Sequence, residues 1–381
     1  MRLVEHTEGK TRLIVPWASL RADPPPTSPV FFNPAASLNR DISVAVTSAT
    51  EGETFCDSMA GVGARGLRIA NEVGRVGRVT LVDFNPRALI IAQRAAVLNG
   101  VRRKCEFLES ETSSYLFSRF GREKRFHYVD VDPFGTPVAQ LGGALSATTD
   151  GGVLSVTATD TAVLCGVHPR VALRRYGAAP LNNHFNHETS VRLLTGAVAR
   201  VAASIDIGVE PVAVHTTRHY ARIFLLVRQG ASEADRALAG LGYVAWCPAC
   251  GHTRYAPEGE KKKCEKCGRS ARVAGPIWVG GLTKQPLVRA ATSAATRLGL
   301  GSAAEVLGGL LGVDDFPAWS FSIERICSSL RIPTRPESEV FRRLRGVGYA
   351  VMRTPFEKTG IKTDAPFKDV VEAVKGAKGG R

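Results

Sequence analysis

The sequence has no apolar run near the eighteen or so residues of a membrane-spanning helix, and Glu5 and Glu8 stand where a secretion signal would be apolar. A cytoplasmic protein is expected. It also lacks a Walker A pattern, a Ser-His-Asp order, an internal repeat and any low-complexity segment, so phosphate-loop hydrolysis and serine nucleophile chemistry are not indicated. Asn and Gln are scarce, which is compatible with a thermophilic source and decides nothing about function. Cysteine is sparse, at eight in 381 residues, and only four pair off, as Cys247-x-x-Cys250 and Cys264-x-x-Cys267. That spacing argues for reduced thiols and a metal, and against a disulfide framework. Negative charge is the last deficit: 35 Asp and Glu face 50 Lys and Arg, for a formal +15. A polyanion is the partner this charge favours, nucleic acid first; no protein partner is implied.

The length suits two domains, each able to bury its own core. Residues 1–50 form a prelude whose prolines, Pro24 to Pro26 and Pro34 among them, are expected to forbid a continuous helix or a central strand. From residue 53 strands and helices alternate. Thr54 to Asp57, Arg78 to Asp83, Cys105 to Leu108, Tyr128 to Asp132 and Gly152 to Ala158 are expected strands; Ala64 to Val73 and Pro86 to Asn99 are expected helices. Glu188 to Ala203 follows as a helix and Ala221 to Val227 as an apolar strand. This pattern predicts an α/β fold with a parallel sheet whose ligands bind at the carboxyl ends of the strands. A polar, Gly-rich stretch over 229–240 is expected as a connection. Residues 231–381 are expected to form a smaller α+β domain that contains or adjoins the cysteine knuckles, with helical periodicity from Pro286 to Leu298. A basic stretch there carries Arg342, Arg343 and Arg345, first choices for phosphate contacts.

The first strand ends in Asp57 and runs into a small-residue turn in which Gly61, Gly63 and Gly66 keep a G-x-G-x-x-G register. Such glycines let a ligand approach a helix N-terminus, but do not by themselves separate one nucleotide cofactor from another. Asp83 ends the next strand, where an acid accepts ribose hydroxyls. NAD-dependent oxidation therefore stays open at this point. Asp132-Pro133-Phe134-Gly135 favours a different chemistry. An exocyclic amine on a planar base is a poor nucleophile because its lone pair is delocalised. A carboxylate and a backbone carbonyl accepting its N–H bonds orient it for attack on a sulfonium methyl, while an aromatic ring stacks on the base. The plainer alternative is a turn, since Asp-Pro and Phe-Gly both punctuate strands.

Asp132-Pro133-Phe134-Gly135 does not stand alone. Ser28-Pro29-Val30-Phe31-Phe32-Asn33-Pro34, Leu38-Asn39-Arg40-Asp41, Ala158-Thr159-Asp160, Cys165-Gly166-Val167-His168-Pro169-Arg170 and Thr359-Gly360-Ile361-Lys362-Thr363-Asp364-Ala365-Pro366 accompany it. Together they resemble the tRNA (guanine-N2)-dimethyltransferases nearly end to end. The resemblance implies a Rossmann-like S-adenosylmethionine-binding catalytic domain over 51–230, a 1–50 segment that contributes to the active site, and a C-terminal domain over 231–381 that helps hold tRNA. It implies transfer of one or two methyl groups to N2 of guanine-26. By position, Arg40 and Arg65 would hold the methionine carboxylate, Asp83 the ribose, and Glu111 with Thr112 the adenine, Asp57 completing the cofactor site. The family usually has Asp-Ala where this chain has Glu111-Thr112. Asp132 and Pro133 would act on the amine, with Phe31 and Phe134 flanking a flipped guanine. A zinc-containing RNA-binding protein without catalysis is the remaining alternative.

Cys247, Cys250, Cys264 and Cys267 form two knuckles with thirteen residues between them, which suits a structural zinc held by four thiolates with no open coordination position. Lys261, Lys262, Lys263, Lys266 and Arg269 nearby are candidates for RNA phosphates or for a solvated loop. His168 and the group His184, His187 and Glu188 are taken as turn and hydrogen-bonding residues, since Arg170, Arg174 and Arg175 would repel a cation.

Overall fold

A computed structural model describes residues 1–119, 125–259, 263–357 and 359–377. The prelude is more regular than its prolines suggest. It opens as an antiparallel hairpin of β1 (Leu3–Glu8) and β2 (Thr11–Pro16). After the proline cluster it becomes helix α1 (Ser37–Ala49), which starts just beyond Pro34 and a short turn capped by Asn33. The prolines thus restrict only the segment before residue 35. Ile42, Val44, Ala45 and Val46 bury one face of α1, and the helix packs on Gln285–Arg297 from the other end of the chain.

The alternating region folds as its pattern predicts. Strands β3 (Thr54–Asp57), β4 (Arg78–Asp83), β5 (Cys105–Glu109), β6 (Phe126–Val131), β7 (Thr148–Ala158), β8 (Ile207–Thr216) and β9 (Ala221–Gln229) form one sheet in the order β5-β4-β3-β6-β7-β9-β8. β3 to β7 pair in parallel, while β9 is antiparallel to both β7 and β8. Helices α2 (Ala64–Glu72), α3 (Pro86–Leu98), α4 (Thr112–Phe117), α5 (Leu141–Ala147), α6 (Thr161–Leu164), α7 (Pro169–Tyr176) and α8 (Asn186–Ala203) make the connections. Val79, Thr80, Leu81 and Val82 are all buried in succession, as a strand covered on both faces requires. Strand order reverses between β3 and β6, so their carboxyl ends border a crevice.

The stretch over 229–240 is not a loop. It contains helix α9 (Ala231–Ala239), whose Ala234 and Ala237 are buried. Strands β10 (Leu241–Trp246), β11 (Thr253–Ala256) and β12 (Arg272–Trp278) then form a sheet that carries the cysteines, in the order β11-β10-β12. A last sheet, of β13 (Phe321–Ser322), β14 (Val351–Arg353) and β15 (Gly360–Thr363), is flanked by the helices Ile323–Leu330, Glu337–Gly346 and Phe367–Gly376. No helix among the described residues is long and apolar enough to cross a membrane.

One buried ion cluster ties this last sheet to the helices of the seven-stranded sheet. Lys362 on β15 is fully buried and donates to Glu188 Oε1 at 2.9 Å and to the carbonyls of Pro317 and Trp319 at 2.7 and 3.0 Å. Glu188, on α8, also accepts from Arg192 at 3.1 and 2.8 Å. His184 Nε2 lies 2.9 Å from the Ser320 carbonyl. Removing one partner of a buried pair costs about 3 kcal/mol or more. Lys362→Met is therefore expected to lower the urea midpoint by a corresponding amount, and an unchanged midpoint would show that the cluster adds nothing to stability.

Candidate active site

The crevice is built first from backbone. Gly61 and Gly63 have φ of +52° and +77°, and Gly63 caps α2; a Cβ there would come within 3.0 Å of the Ala92 and Leu81 side chains. Gly66 donates its N–H to Asp57 Oδ2 at 2.8 Å. Asp83 receives the N–H groups of Gly61 and Asn85 at 2.7 and 2.8 Å, which fixes a half-buried carboxylate at the rim of the crevice. Beside it Phe84 projects into solvent, 79% exposed.

Behind that rim lies a charged network that only partly balances. Arg65, on α2, is buried and bonds Asn39 Oδ1 at 2.8 Å, Ser43 Oγ at 2.5 Å and the Asp132 carboxylate, with Asp130 Oδ1 3.1 Å from its Nε. Arg222, fully buried on β9, reaches the other Asp130 oxygen, Thr157 Oγ1 at 2.6 Å and Ser43 Oγ at 3.0 Å. Asp130 Oδ1 still lacks a well-aligned donor. Three carboxylates, Asp57, Asp130 and Asp132, thus share two guanidinium groups. Burial pushes the Asp57 carboxyl up to about 7, and Asp130 adds to this while Arg65 opposes it. With all three carboxylates ionised the site is one positive charge short, and a proton on Asp57 makes up the difference.

On the outer side, Asp132 is half-exposed and Phe134 is 67% exposed. Pro133 stands between them. Gly135, at φ +79°, is braced by Thr159: its N–H donates to the Thr159 hydroxyl at 2.6 Å and its carbonyl accepts the Thr159 N–H at 2.9 Å. Phe31 meets Phe134 directly, with ring centroids 4.8 Å apart and planes at 77°. The two rings expected to flank a base therefore touch edge-to-face, and a base between them has to part them. Phe134, the more exposed, has room to swing.

Other expected site residues already have partners. Arg40 forks onto Glu8 at 2.7 and 2.5 Å, and also bonds the Asn33 carbonyl at 3.0 Å. A methionine carboxylate at Arg40 or Arg65 has to share the guanidinium with Glu8 in one case and with Asp130 and Asp132 in the other. Glu111 caps α4, accepting from Ser113 and Ser114 N–H groups at 2.9 and 2.7 Å, and these bonds hold its carboxyl below the usual range. Thr112 donates to the Ser58 carbonyl at 2.6 Å, tying α4 to the glycine turn. In the C-terminal region Arg342 pairs with Glu339, Arg343 lies 3.5 Å from Glu339, and Arg345 donates to the Val351 carbonyl at 3.3 Å.

The four knuckle sulfurs converge. Cys247 and Cys267 Sγ are 3.6 Å apart, Cys250 and Cys264 Sγ likewise, and all four lie within 4.8 Å of one another. A tetrahedron of thiolates at about 2.3 Å from a central zinc has edges of about 3.8 Å. Gly251 and Gly268, at φ +78° and +70°, close the two turns with matching N–H bonds to the Cys247 and Cys264 carbonyls. Lys261 and Lys262 lie outside the described residues.

Sequence reasoning missed Arg222, Asp130, Asn39 and Ser43 as parts of the site, along with Phe84. The signal for Arg222 was a lone cation inside the apolar run Ala221 to Val227; for Phe84 it was an aromatic directly after Asp83.

Comparison with known proteins agrees over almost the whole chain. The model of the family described as N2,N2-dimethylguanosine tRNA methyltransferase matches residues 9–375. A tRNA (guanine(26)-N(2))-dimethyltransferase of Methanosarcina acetivorans is 35% identical over 98% of both chains. The enzyme of the same name from Methanopyrus kandleri is 36% identical over 100% of this chain and 99% of its own. The solved complex of Trm1 from Pyrococcus horikoshii with S-adenosyl-L-methionine is 30% identical, superposes with a TM-score of 0.85, and covers 97% of this chain and 99% of its own.

The Asp57 shift has a definite sign. A carboxyl near 7 in the fold and near 3.8 when unfolded keeps its proton in the fold while the unfolded chain releases it, so its contribution to stability falls as pH rises from about 4 to about 7. Thermal melts of the wild type are expected to lose ground to Asp57→Asn across that window. Parallel curves for the two proteins would show that Asp57 titrates normally.

Proposed function

The chain belongs to the N2,N2-dimethylguanosine tRNA methyltransferase family, and we propose that the crevice at the carboxyl ends of β3, β4 and β6 is where it methylates guanine N2. The activity is transfer of methyl groups from S-adenosylmethionine to the exocyclic N2 of guanine-26 in tRNA. Oxidation with NAD and a non-catalytic RNA-binding role both lose their support with family membership. What supports the assignment of this crevice is Asp132, held by Arg65 at the mouth of a site that lacks one positive charge.

The residues fit the cofactor on charge. S-adenosylmethionine carries a net +1, from a sulfonium and an ammonium against one carboxylate, which matches the deficit among Asp57, Asp130 and Asp132. In this reading Asp57 ionises opposite the cationic end, Asp83 accepts the ribose hydroxyls, and Phe84 covers one face of the adenine. Glu111 and Thr112 keep the adenine end in place through α4, and Arg40 and Arg65 lie towards the methionine end. The cofactor supplies an electrophilic methyl group at its sulfonium.

The chain's own groups prepare the amine. The Asp132 carboxylate and the Pro133 carbonyl accept its N–H bonds and aim its lone pair into the crevice. As the N–C bond forms the amine becomes cationic, and the Asp132 carboxylate is the adjacent acceptor for its proton. Arg65 fixes the orientation of that carboxylate. Residues 1–50 contribute Phe31, residues 51–230 the cofactor crevice, and residues 231–381 a tRNA-holding domain stiffened by zinc at 247–267.

Asp132→Asn is expected to lower methyl transfer about 100-fold or more, the usual cost of removing one oriented catalytic group. S-adenosylhomocysteine affinity by calorimetry should stay within a few-fold. Methylation at the wild-type rate would remove Asp132 from the chemistry.

Metal analysis of protein prepared without chelator should find about one zinc per chain, and Cys247→Ser with Cys264→Ser should lower both zinc content and melting temperature. Stoichiometric zinc in the double variant would refute the four-cysteine site.

A further inference from the structure

Helix α7 and the β8–β9 turn at residues 217–220 are bonded to Asp160 and Thr161, just after β7, and the chemistry above leaves their cations unused. Ala172 and Tyr176 bury one face of α7, while Arg170, Leu173 and Arg174 share the solvent face at i, i+3 and i+4 spacing. Leu173 and the preceding Val167 are 59% and 55% exposed. Arg218 is exposed at the tip of the turn, and its carbonyl accepts the Thr161 hydroxyl at 2.9 Å, which ties that turn to the start of α6.

These elements are registered on the substrate side of the crevice. Asp160 receives Arg175 at 2.9 Å and the Tyr176 hydroxyl at 2.5 Å, and it directly follows Thr159, the residue that braces Gly135. The exposed face of α7 is thus rigidly coupled to the loop that carries Asp132 and Phe134.

Asp160 neutralises Arg175 only. Among the described residues Arg170, Arg174 and Arg218 have no carboxylate partner. Helix energetics do not explain all three: the dipole favours Arg174 in the last turn of α7, but opposes Arg170 in the first. By contrast, Arg342 and Arg343 of the C-terminal region already face Glu339.

We propose that Arg170, Arg174 and Arg218 grip successive phosphates of the tRNA strand that flanks the target guanine, with α7 as the catalytic domain's own RNA-docking face. The proposal rests on tRNA being the substrate, and its occupant is argued from charge: unpaired cations on this face suit a phosphate backbone, and the spacing of roughly 6 Å between Arg170 and Arg174 on α7 suits neighbouring phosphates.

The test uses the full chain and an unmodified tRNA transcript with guanosine at position 26. Arg170→Gln, Arg174→Gln and Arg218→Gln combined should weaken tRNA binding on the order of tenfold or more by fluorescence anisotropy. The slope of log affinity against log salt should fall by about two to three units, close to one per phosphate contact. S-adenosylhomocysteine affinity should not move. The triple Lys variant, which keeps the point charges, should recover most of the slope. An unchanged slope in the Gln variant, or an equal loss in the Lys variant, overturns the phosphate assignment while wild-type methylation leaves the activity standing. Wild-type protein that neither binds nor methylates the transcript overturns both.

Discussion

The structure is organised around a buried charge imbalance. Arg65 and Arg222 serve Asp57, Asp130 and Asp132, and Ser43 receives both guanidinium groups. Such a network is costly to bury unless every member is placed by neighbours. The network draws on six parts of the chain: Asn39 and Ser43 from α1, Asp57 from β3, Arg65 from α2, Asp130 and Asp132 from the end of β6, Thr157 from β7 and Arg222 from β9. The network therefore binds part of the first fifty residues, Asn39 and Ser43, to the crevice even though they precede the sheet. On the proposed function it also joins the cofactor side to the substrate side, because Arg65 touches Asp130 and Asp132 at once.

A second buried cluster does for the halves of the molecule what the first does within the catalytic sheet. Glu188, Arg192 and Lys362 meet where α8 faces the last sheet, and α1 packs on Gln285–Arg297 nearby. Apolar contact alone permits sliding; a fully buried ammonium with three oxygen partners does not. The C-terminal region is thereby held in fixed register to the crevice, as a substrate as large as tRNA requires if contacts far from the base are to position it.

Much of this was legible in the sequence, for physical reasons. Strands β3, β4 and β9 and helices α2, α3 and α8 have short apolar runs or clean helical periodicity, and proline or glycine marks where several of them begin or end. α1 was hidden because the prolines before it dominate the local composition, and α9 because its alanines resemble a small-residue linker. Asp132, Phe134, Asp83 and the cysteines announce themselves by position. Arg222 does not, since its role depends on β9 inserting antiparallel beside β7, a pairing that no local pattern encodes. Nor does sequence reveal that Arg40 faces Glu8 or that Glu111 caps α4; partner choice is a tertiary property.

The contact between Phe31 and Phe134 fits this picture of a site completed by its substrate. An edge-to-face pair is worth about 0.5–1.5 kcal/mol beyond its buried area, whereas a base stacked on an aromatic ring gains about 1–3 kcal/mol. A guanine that parts the rings exchanges one contact for two faces. The surplus offsets part of the few kcal/mol needed to turn a base out of a stem. A side chain or water that parted them would lose the pair and gain no second stack. On the proposed function the rings remain together until a planar base arrives, and a base that parts them lies beside Asp132, the residue proposed to act on its amine.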